Sequence, residues 1–372
     1  MSDKVRPQRG LDALRPYVPG TPIEEVQRKY GIIDVIKLAS NENPLGPSPR
    51  ALAAMQKALS RVSFYPDSES YYLRHALAEH LGPGIEPEQV TVGNGADGII
   101  MQTCLAFLDE DSEAIVSCCS FPVYDIYVNV MRASLVKTPL KDFGLDLNAM
   151  VGAINERTRL VIVCNPNNPT GTIVTAAEVD GFMKRVPDHV LVVFDEAYFE
   201  LVASDRFPDT LRYVWDGREN VMVMRSFSKA YGLAGVRLGY AIAAPEILAA
   251  LHRVREPFAV NLLAQAAGIA ALQDEDFLKR SVAANHAGRL FLYAEFDRLG
   301  LHYLQSHANF VLVEFGPRAG AIQQRLLEKG VIVRPCISYD LPHFLRITVG
   351  DQAQNTRLID TLERILAESE RP

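Results

Sequence analysis

Two rhythms of apolar positions alternate along the chain. Short, near-continuous apolar runs are separated by longer stretches in which apolar residues recur at helical spacing. The runs QVTVG, AIVSCCS, RLVIVC, VLVVF, NVMVMRS and YAIAA predict buried strands of parallel type, covered on both faces. RALAAMQKALSRV, YYLRHALAEHLG, the stretch after VTVGNGAD, TAAEVDGFMKRV and PEILAALHRV predict the covering helices. YYLRHALAEHLG is stopped by Gly82 and Pro83. A first segment, residues 1–40, reads as an arm: LDALRPYVPGTP is too rich in proline for one helix, IEEVQRKYG is a short helix ending at Gly31, and VIKLAS is a strand. NLLAQAAGIAALQ leads towards a second lobe. There two strand patterns, LHYLQSHANFVLVEF and GVIVRPCISYDLPHFLRITVG, flank the helix AIQQRLLEKG, and TRLIDTLERILAES closes the chain. The expected class is α/β, with a large domain over 41–265 and a smaller α/β domain over 266–372.

Length agrees with two domains, since 372 residues exceed what one core usually serves. Hydrophobic content of 48% with 22% charged residues is that of a soluble globular protein. The net charge of −7 is not blocked into runs of one sign, which argues against nucleic acid as the main partner. No apolar run is long enough to span a bilayer, and the start, MSDKVRPQRG, lacks the apolar core of a signal peptide. The five cysteines are odd in number and lie mostly in apolar runs, so they read as buried thiols in a reducing cytoplasm. Cys118 and Cys119 are adjacent on a strand pattern and would face opposite ways, so no metal site is expected there.

Chemistry is concentrated at the ends of the strand patterns. Lys229 follows NVMVMRS, lies beside Ser226 and Ser228, and precedes a Gly/Ala-rich run that ends at Arg237. A desolvated lysine is either paired or lowered in pKa, and a lowered lysine is a nucleophile suited to a Schiff base. Taken singly, an ordinary loop lysine is the commoner case. Asp195 ends VLVVF and must be paired or hydrogen-bonded; a helix cap or structural ion pair is the plain alternative. Asn168 lies in the rigid turn NPNNPTG, and Tyr124 lies just beyond AIVSCCS. GNGADG presents backbone N–H groups and a helix N-terminus, a phosphate cradle. Gly93, Gly95 and Gly98 also spell a dinucleotide fingerprint, but the strand after it ends in Ser120 rather than an acid, which disfavours that cofactor. Arg334 and Arg346 interrupt apolar strands and call for anionic partners.

A phosphate cradle, a strand-end carboxylate, an Asn, a Tyr and a Lys between serines together match the needs of pyridoxal phosphate. In SFSKAYGLAGVR, CNPNNPTG, FDEAY and LRITVG, in that family's order and over nearly the whole chain, the sequence resembles fold-type I pyridoxal phosphate aminotransferases, and among them is most similar to histidinol-phosphate aminotransferases. The resemblance implies a three-layer large domain with a mostly parallel sheet, an arm joining the small domain, and pyridoxal 5′-phosphate as cofactor. It implies Lys229 as the Schiff-base lysine and proton carrier, and Asp195 at the pyridinium nitrogen. Asn168 and Tyr198 would contact the ring's phenolic oxygen, with Tyr124 stacked on the ring. Ser226, Ser228 and Arg237 would hold the phosphate with the backbone at Ala96 and Asp97. Tyr65 would reach the neighbouring subunit's cofactor, making the active unit a homodimer. Arg346 would bind the carboxylate of the amino-acid or 2-oxo-acid partner, and Tyr17, Asn41, Glu42 and Arg334 would line the pocket for a small amino donor, where Arg334 and Arg346 would grip its phosphate. Gly98 stands where relatives often carry an acid. The implied reaction is transamination of histidinol phosphate with 2-oxoglutarate. An aromatic amino acid aminotransferase and a phosphothreonine decarboxylase are the rivals on the same scaffold. A non-catalytic cofactor-binding regulator would bring a DNA-binding module, and no helix-turn-helix pattern precedes the fold.

Overall fold

The computed structural model describes residues 11, 14 and 16–369. The opening stretch read against a signal peptide, and the first part of the arm, lie outside the described residues. In chain order the strands are β1 (Ile36–Leu38), β2 (Val90–Asn94), β3 (Glu113–Ser117), β4 (Ser134–Thr138), β5 (Leu140–Lys141), β6 (Gly144–Leu145), β7 (Thr158–Cys164), β8 (Leu191–Asp195), β9 (Val221–Ser226), β10 (Leu238–Ala243), β11 (Phe310–Glu314), β12 (Val331–Pro335) and β13 (Phe344–Thr348). Seven of them form one sheet in the order β2-β10-β9-β8-β7-β3-β4, four form a second in the order β1-β12-β13-β11, and β5 and β6 pair as a hairpin.

The large sheet is α/β and mostly parallel. β9, β8, β7, β3 and β4 run the same way, and β10 alone is antiparallel to both neighbours. Successive residues of a strand face opposite sides, which explains the unbroken apolar runs. On β7, Val161 and Val163 enter one core with Phe182 and Leu77, while Leu160 and Ile162 enter another with Ile99 and Val128. Helices 71–81, 176–183 and 262–272 thus cover one face, and helices 95–107, 123–130 and 245–254 the other. Burying a Val, Leu or Ile side chain contributes about 1.5–3 kcal/mol, so both faces must be covered for such strands to persist.

The second sheet packs on helices 275–298, 319–328 and 352–369 through Val311, Ile322, Phe296 and Leu358. β1 joins it in parallel with β12, Ile36 opposite Val331, so the segment before residue 40 reaches the sheet built from the end of the chain. Local signals act as expected at several ends. Gly31 stops helix 23–30 in the left-handed region, and Thr175 with Glu178 forms a reciprocal cap on helix 176–183. Ser48 caps helix 49–58 and donates to Asp274, the cap of helix 275–298 (2.6 Å), so the two helix starts are tied together.

Three features depart from the pattern reading. The strand expected over VIKLAS is confined to Ile36–Leu38, because Ala39 to Asn41 turn into a cavity wall. β4 was not legible because an edge strand is only half covered and its pattern is mixed. The reversal of β10 is a matter of connection, which apolar periodicity does not carry. Among the described residues, no helix is long and apolar enough to cross a membrane.

Candidate active site

β7 and β8 end level, Cys164 opposite Asp195, while β9 runs past Met224, the partner of Asp195, to end at Ser226. A cavity opens beyond these C-terminal ends, where ligands meet parallel sheets. Asp195 enters it from the last position of β8, Ser226 from the last position of β9, and Lys229 from the turn that follows. In the turn after β7, Asn165 and Asn167 spend their amides inside the protein: Asn165 pairs with Val174, and Asn167 bonds Thr170 and the carbonyl of Cys119. Asn168 faces the cavity.

Asp195 is 4% exposed and has no cationic partner among the described residues. Tyr124 donates its hydroxyl to Oδ2 (2.6 Å) and the N–H of Ala197 donates to Oδ1 (3.1 Å). Burial pushes the carboxyl up to about 6 against these two bonds. Lys229 is open to the cavity but surrounded by protein, and that desolvation, with Arg346 as a second cause, lowers its ammonium to about 8. Its nearest recorded acceptor is the carbonyl of Ser40, at 3.5 Å, and its Nζ lies 5.6 Å from the ring centre of Tyr198. Burial raises the phenol of Tyr198, so it stays protonated; Asn41 donates to its oxygen at 2.9 Å.

The start of helix 95–107 approaches the same cavity through Ala96 and Asp97. Two glycines make the approach possible. A Cβ on Gly239 would sit 2.4 Å from the backbone N of Ala96, and one on Gly95, whose φ is +72°, would sit 2.4 Å from Arg237 Nη2. Arg237 is itself left-handed (φ 60°); it donates to the carbonyl of Ala234 (3.0 Å) and to Asp97 (3.3 Å). Ser226 Oγ accepts from the N–H of Ser228 at 3.1 Å, which leaves its own proton to donate. Gly98 lies within the helix, and its substitution site faces only Asn94.

The opposite wall carries two buried arginines, Arg334 and Arg346, each 4% exposed. They are direct cross-strand partners on β12 and β13. Arg346 donates to Asn168 Oδ1 (2.5 Å), to the hydroxyl of Tyr339 (3.0 Å) and to the carbonyl of Ala39 (2.7 Å). Among the described residues, Nε and Nη2 of Arg334 and Nε of Arg346 are buried without a hydrogen-bond partner, and neither arginine is paired with an acid. Two like charges held opposite each other with such donors left over are unfavourable unless an anion enters.

Of the residues singled out in the sequence, all but two line this one cavity. The carboxylate of Glu42 is tied to Lys37 at 2.6 Å and lines another groove, although its charge still reaches Lys229. Tyr65 lies away from the cavity of its own chain, 81% exposed and stacked on Phe258 (4.5 Å, 17° between rings). Tyr124 meets Phe121 edge to face and commits its hydroxyl to Asp195. Sequence reading missed Ser40, Phe121 and Tyr339, which also line the cavity. Phe121 follows a strand end just as Tyr124 does and was open to the same argument. Tyr339 sits in a turn, ISYDLP, without a periodic signal.

Asp195 gives a stability prediction for the cofactor-free protein. Its folded pKa of about 6 lies above the ordinary 3.8, so the folded state holds its proton more tightly and stability falls as pH rises from about 4 through 6. Above pH 6 the buried carboxylate costs on the order of 3 kcal/mol. Asp195→Asn should therefore melt higher than the wild-type protein at pH 7 and equally at pH 4, as followed by thermal unfolding. A lower melting temperature at pH 7 would show that the carboxylate is structural.

Comparisons with known proteins agree with one another. The family described as aminotransferase class I and II matches residues 33–362. The chain is 50% identical over 355 residues to a histidinol-phosphate aminotransferase of Moorella thermoacetica, covering 95% of this chain and 92% of that one. It is 46% identical over 362 residues to histidinol-phosphate aminotransferase 2 of Pseudomonas fluorescens, covering 97% of each. Among solved structures, it is similar to histidinol-phosphate aminotransferase from Sinorhizobium meliloti in complex with pyridoxal-5′-phosphate, with a TM-score of 0.87 and 30% identity over 99% of both chains. Aspartate aminotransferase from Thermus thermophilus, at 24% identity and a TM-score of 0.83 over 98% of this chain and all of that one, shares the fold.

Proposed function

The chain belongs to the class I and II aminotransferase family, and from that premise we propose that it moves the amino group of L-histidinol phosphate to 2-oxoglutarate, giving imidazole acetol phosphate and glutamate, with pyridoxal 5′-phosphate as cofactor. One observation carries the choice of donor. Arg334 and Arg346 face each other in the cavity with unused buried donors, a demand that a phosphate ester meets. An aromatic amino acid brings a single carboxylate, which one guanidinium satisfies.

The cavity fits the cofactor on three independent points. An unpaired buried carboxylate suits a protonated ring nitrogen, a lysine of lowered pKa suits an aldehyde, and the glycine-lined helix start with Arg237, Ser226 and Ser228 suits a phosphate. When bound, pyridoxal phosphate supplies the carbonyl carbon that takes the amino group and a ring that accepts electron density. Asp195, held by Tyr124 and Ala197, stays ionised against the ring nitrogen, whose positive charge lowers the carboxyl below its value of about 6. Tyr198 donates its phenolic proton to the ring oxygen. Asn168, its carbonyl occupied by Arg346, turns its NH₂ to the same task. Lys229 Nζ, its ammonium lowered to about 8, would hold the cofactor and, once displaced by the incoming amine, would take the proton from the donor's Cα and deliver one to the cofactor carbon that had carried the aldehyde. Tyr17 and Asn41 close the donor's side of the cavity.

The same reading makes the active unit a homodimer. Tyr65 and Phe258, with Val62 and Phe64 beside them, form an exposed apolar patch that a second copy would cover, which would bring Tyr65 to the partner's phosphate site. Mixing Tyr65→Ala subunits with Lys229→Ala subunits should restore part of the activity that each lacks alone, because one site of the mixed dimer is then intact. No recovery on mixing would contradict the shared site.

The function is tested by incubating the enzyme with pyridoxal phosphate, histidinol phosphate and 2-oxoglutarate. Glutamate should form in equal amount to imidazole acetol phosphate. Release of CO₂ from phosphothreonine, with no glutamate formed from histidinol phosphate, would replace this reading by a decarboxylase.

A further inference from the structure

We propose that Tyr339 is a positioning residue that fixes the spacing of Arg334 and Arg346 and so favours a phosphate ester over a carboxylate. The proposal rests on the reading above, in which the cavity takes a phosphate-bearing donor.

The two guanidiniums belong to residues directly opposite each other on β12 and β13. Like charges in that relation repel. One ring is shared between them: the centre of the Tyr339 ring lies 5.9 Å from Cζ of Arg334 and 5.6 Å from Cζ of Arg346. Tyr17 flanks Arg334 at 5.5 Å and Phe310 flanks Arg346 at 5.2 Å, so each guanidinium stands between two rings, and Tyr339 is common to both sets. The negative face of an aromatic ring attracts both cations and offsets part of their repulsion.

Tyr339 also decides which donors remain. Its oxygen and that of Asn168 accept from Nη1 of Arg346, and the carbonyl of Ala39 accepts from Nη2. That orientation leaves Nε of Arg346 for a ligand. On Arg334, Nε and Nη2 both lack a partner among the described residues, and together they form one complete bidentate edge. A carboxylate has two oxygens and is satisfied by a single edge. A phosphate monoester has three terminal oxygens and a charge of roughly −1.5 to −2, enough to engage both arginines.

The ring itself is held firmly. Ile337–Tyr339 forms a single tight turn, with the N–H groups of Tyr339 and Leu341 both donating to the carbonyl of Cys336 (3.0 and 3.1 Å). Asp340 closes the turn in the left-handed region, and the ring packs with Leu312, Cys336 and Phe344. A spacer fixed before the ligand arrives is what selection by spacing requires.

Tyr339→Phe keeps the ring and its packing and removes only the acceptor; Tyr339→Leu removes the ring face as well. Binding is measured by calorimetry on the cofactor-loaded enzyme, with inorganic phosphate and acetate as probes. We expect Tyr339→Phe to weaken phosphate binding about 10-fold, as loss of a hydrogen bond to a charged group does, with a smaller effect on acetate. Tyr339→Leu should weaken it further. In turnover, KM for histidinol phosphate should rise with little change in kcat. If Tyr339→Phe binds phosphate as wild type does, or loses both anions equally, the residue is only part of the core and the proposal is overturned. A wild-type enzyme that binds phosphate through Tyr339 but does not transaminate histidinol phosphate would sink the donor assignment and leave the spacer role supported.

Discussion

Lys229→Ala is expected to lose at least ~10³-fold in turnover while still binding pyridoxal phosphate, now without a covalent bond. The size follows from the absence of a substitute. The nearest titratable side chains at this end of the cavity are committed elsewhere: Asp195 to Tyr124 and Ala197, Arg237 to Ala234 and Asp97, and the phenol of Tyr198 is kept protonated by burial. Only Asp195, at about 6, has a pKa near neutral, and it is taken up by its hydrogen bonds and assigned to the ring nitrogen, whereas Lys229, lowered to about 8, has no such commitment. The measurement pairs turnover with mass spectrometry after borohydride reduction. The wild-type protein should carry the cofactor on the peptide containing Lys229, and the variant should carry none. Near-normal transamination by the variant would remove Lys229 from the mechanism. Because Lys229 lies in a turn after β9 and contributes no core packing, the variant should remain folded.

Asp195→Ala should be nearly as severe, with a loss of roughly 10²–10³ in turnover, typical of removing a preorganised electrostatic partner. The same carboxylate is predicted to cost stability when the cofactor is absent, so this position exchanges stability for function. Tyr124 refines the test. Its hydroxyl favours the ionised form of Asp195, so Tyr124→Phe moves that pKa upward and shifts the acid limb of the pH–rate profile to higher pH. A shift to lower pH would contradict the sign of the argument.

How far these features were legible in the sequence depends on the distance over which each is determined. The strand-end positions of Asp195, Asn168 and Ser226 follow from apolar runs that stop at a polar residue, and such runs are local. The helix start at Gly95 is local too. The opposition of Arg334 and Arg346 is not, because it depends on the register between β12 and β13, and a slip of one residue would turn one arginine away. Tyr339 escaped notice for the same reason: its role exists only once both arginines are in place. Glu42 lies at a place that no local pattern gives: it follows Asn41, which lines the cavity with its backbone in the left-handed region, and its carboxylate meets Lys37 at the mouth of another groove. In the fold, the interior strands were readable from their two-sided burial. β4, the hairpin of β5 and β6, and the direction of β10 depend on edges and connections that carry no periodic signature.

The most direct test of the donor assignment is a comparison of half-reactions. Cofactor-loaded enzyme is mixed separately with histidinol phosphate, phenylalanine, tyrosine and phosphothreonine, without a 2-oxo acid, and kcat/KM for each is obtained from the loss of the bound cofactor's visible absorbance. Histidinol phosphate should give by far the highest value, because phenylalanine and tyrosine bring no phosphate ester to the two arginines, and phosphothreonine brings a carboxylate that competes with its phosphate for the same guanidiniums. A large preference for phenylalanine or tyrosine would show that the pair of buried arginines does not select the substrate, and would contradict the account at its centre.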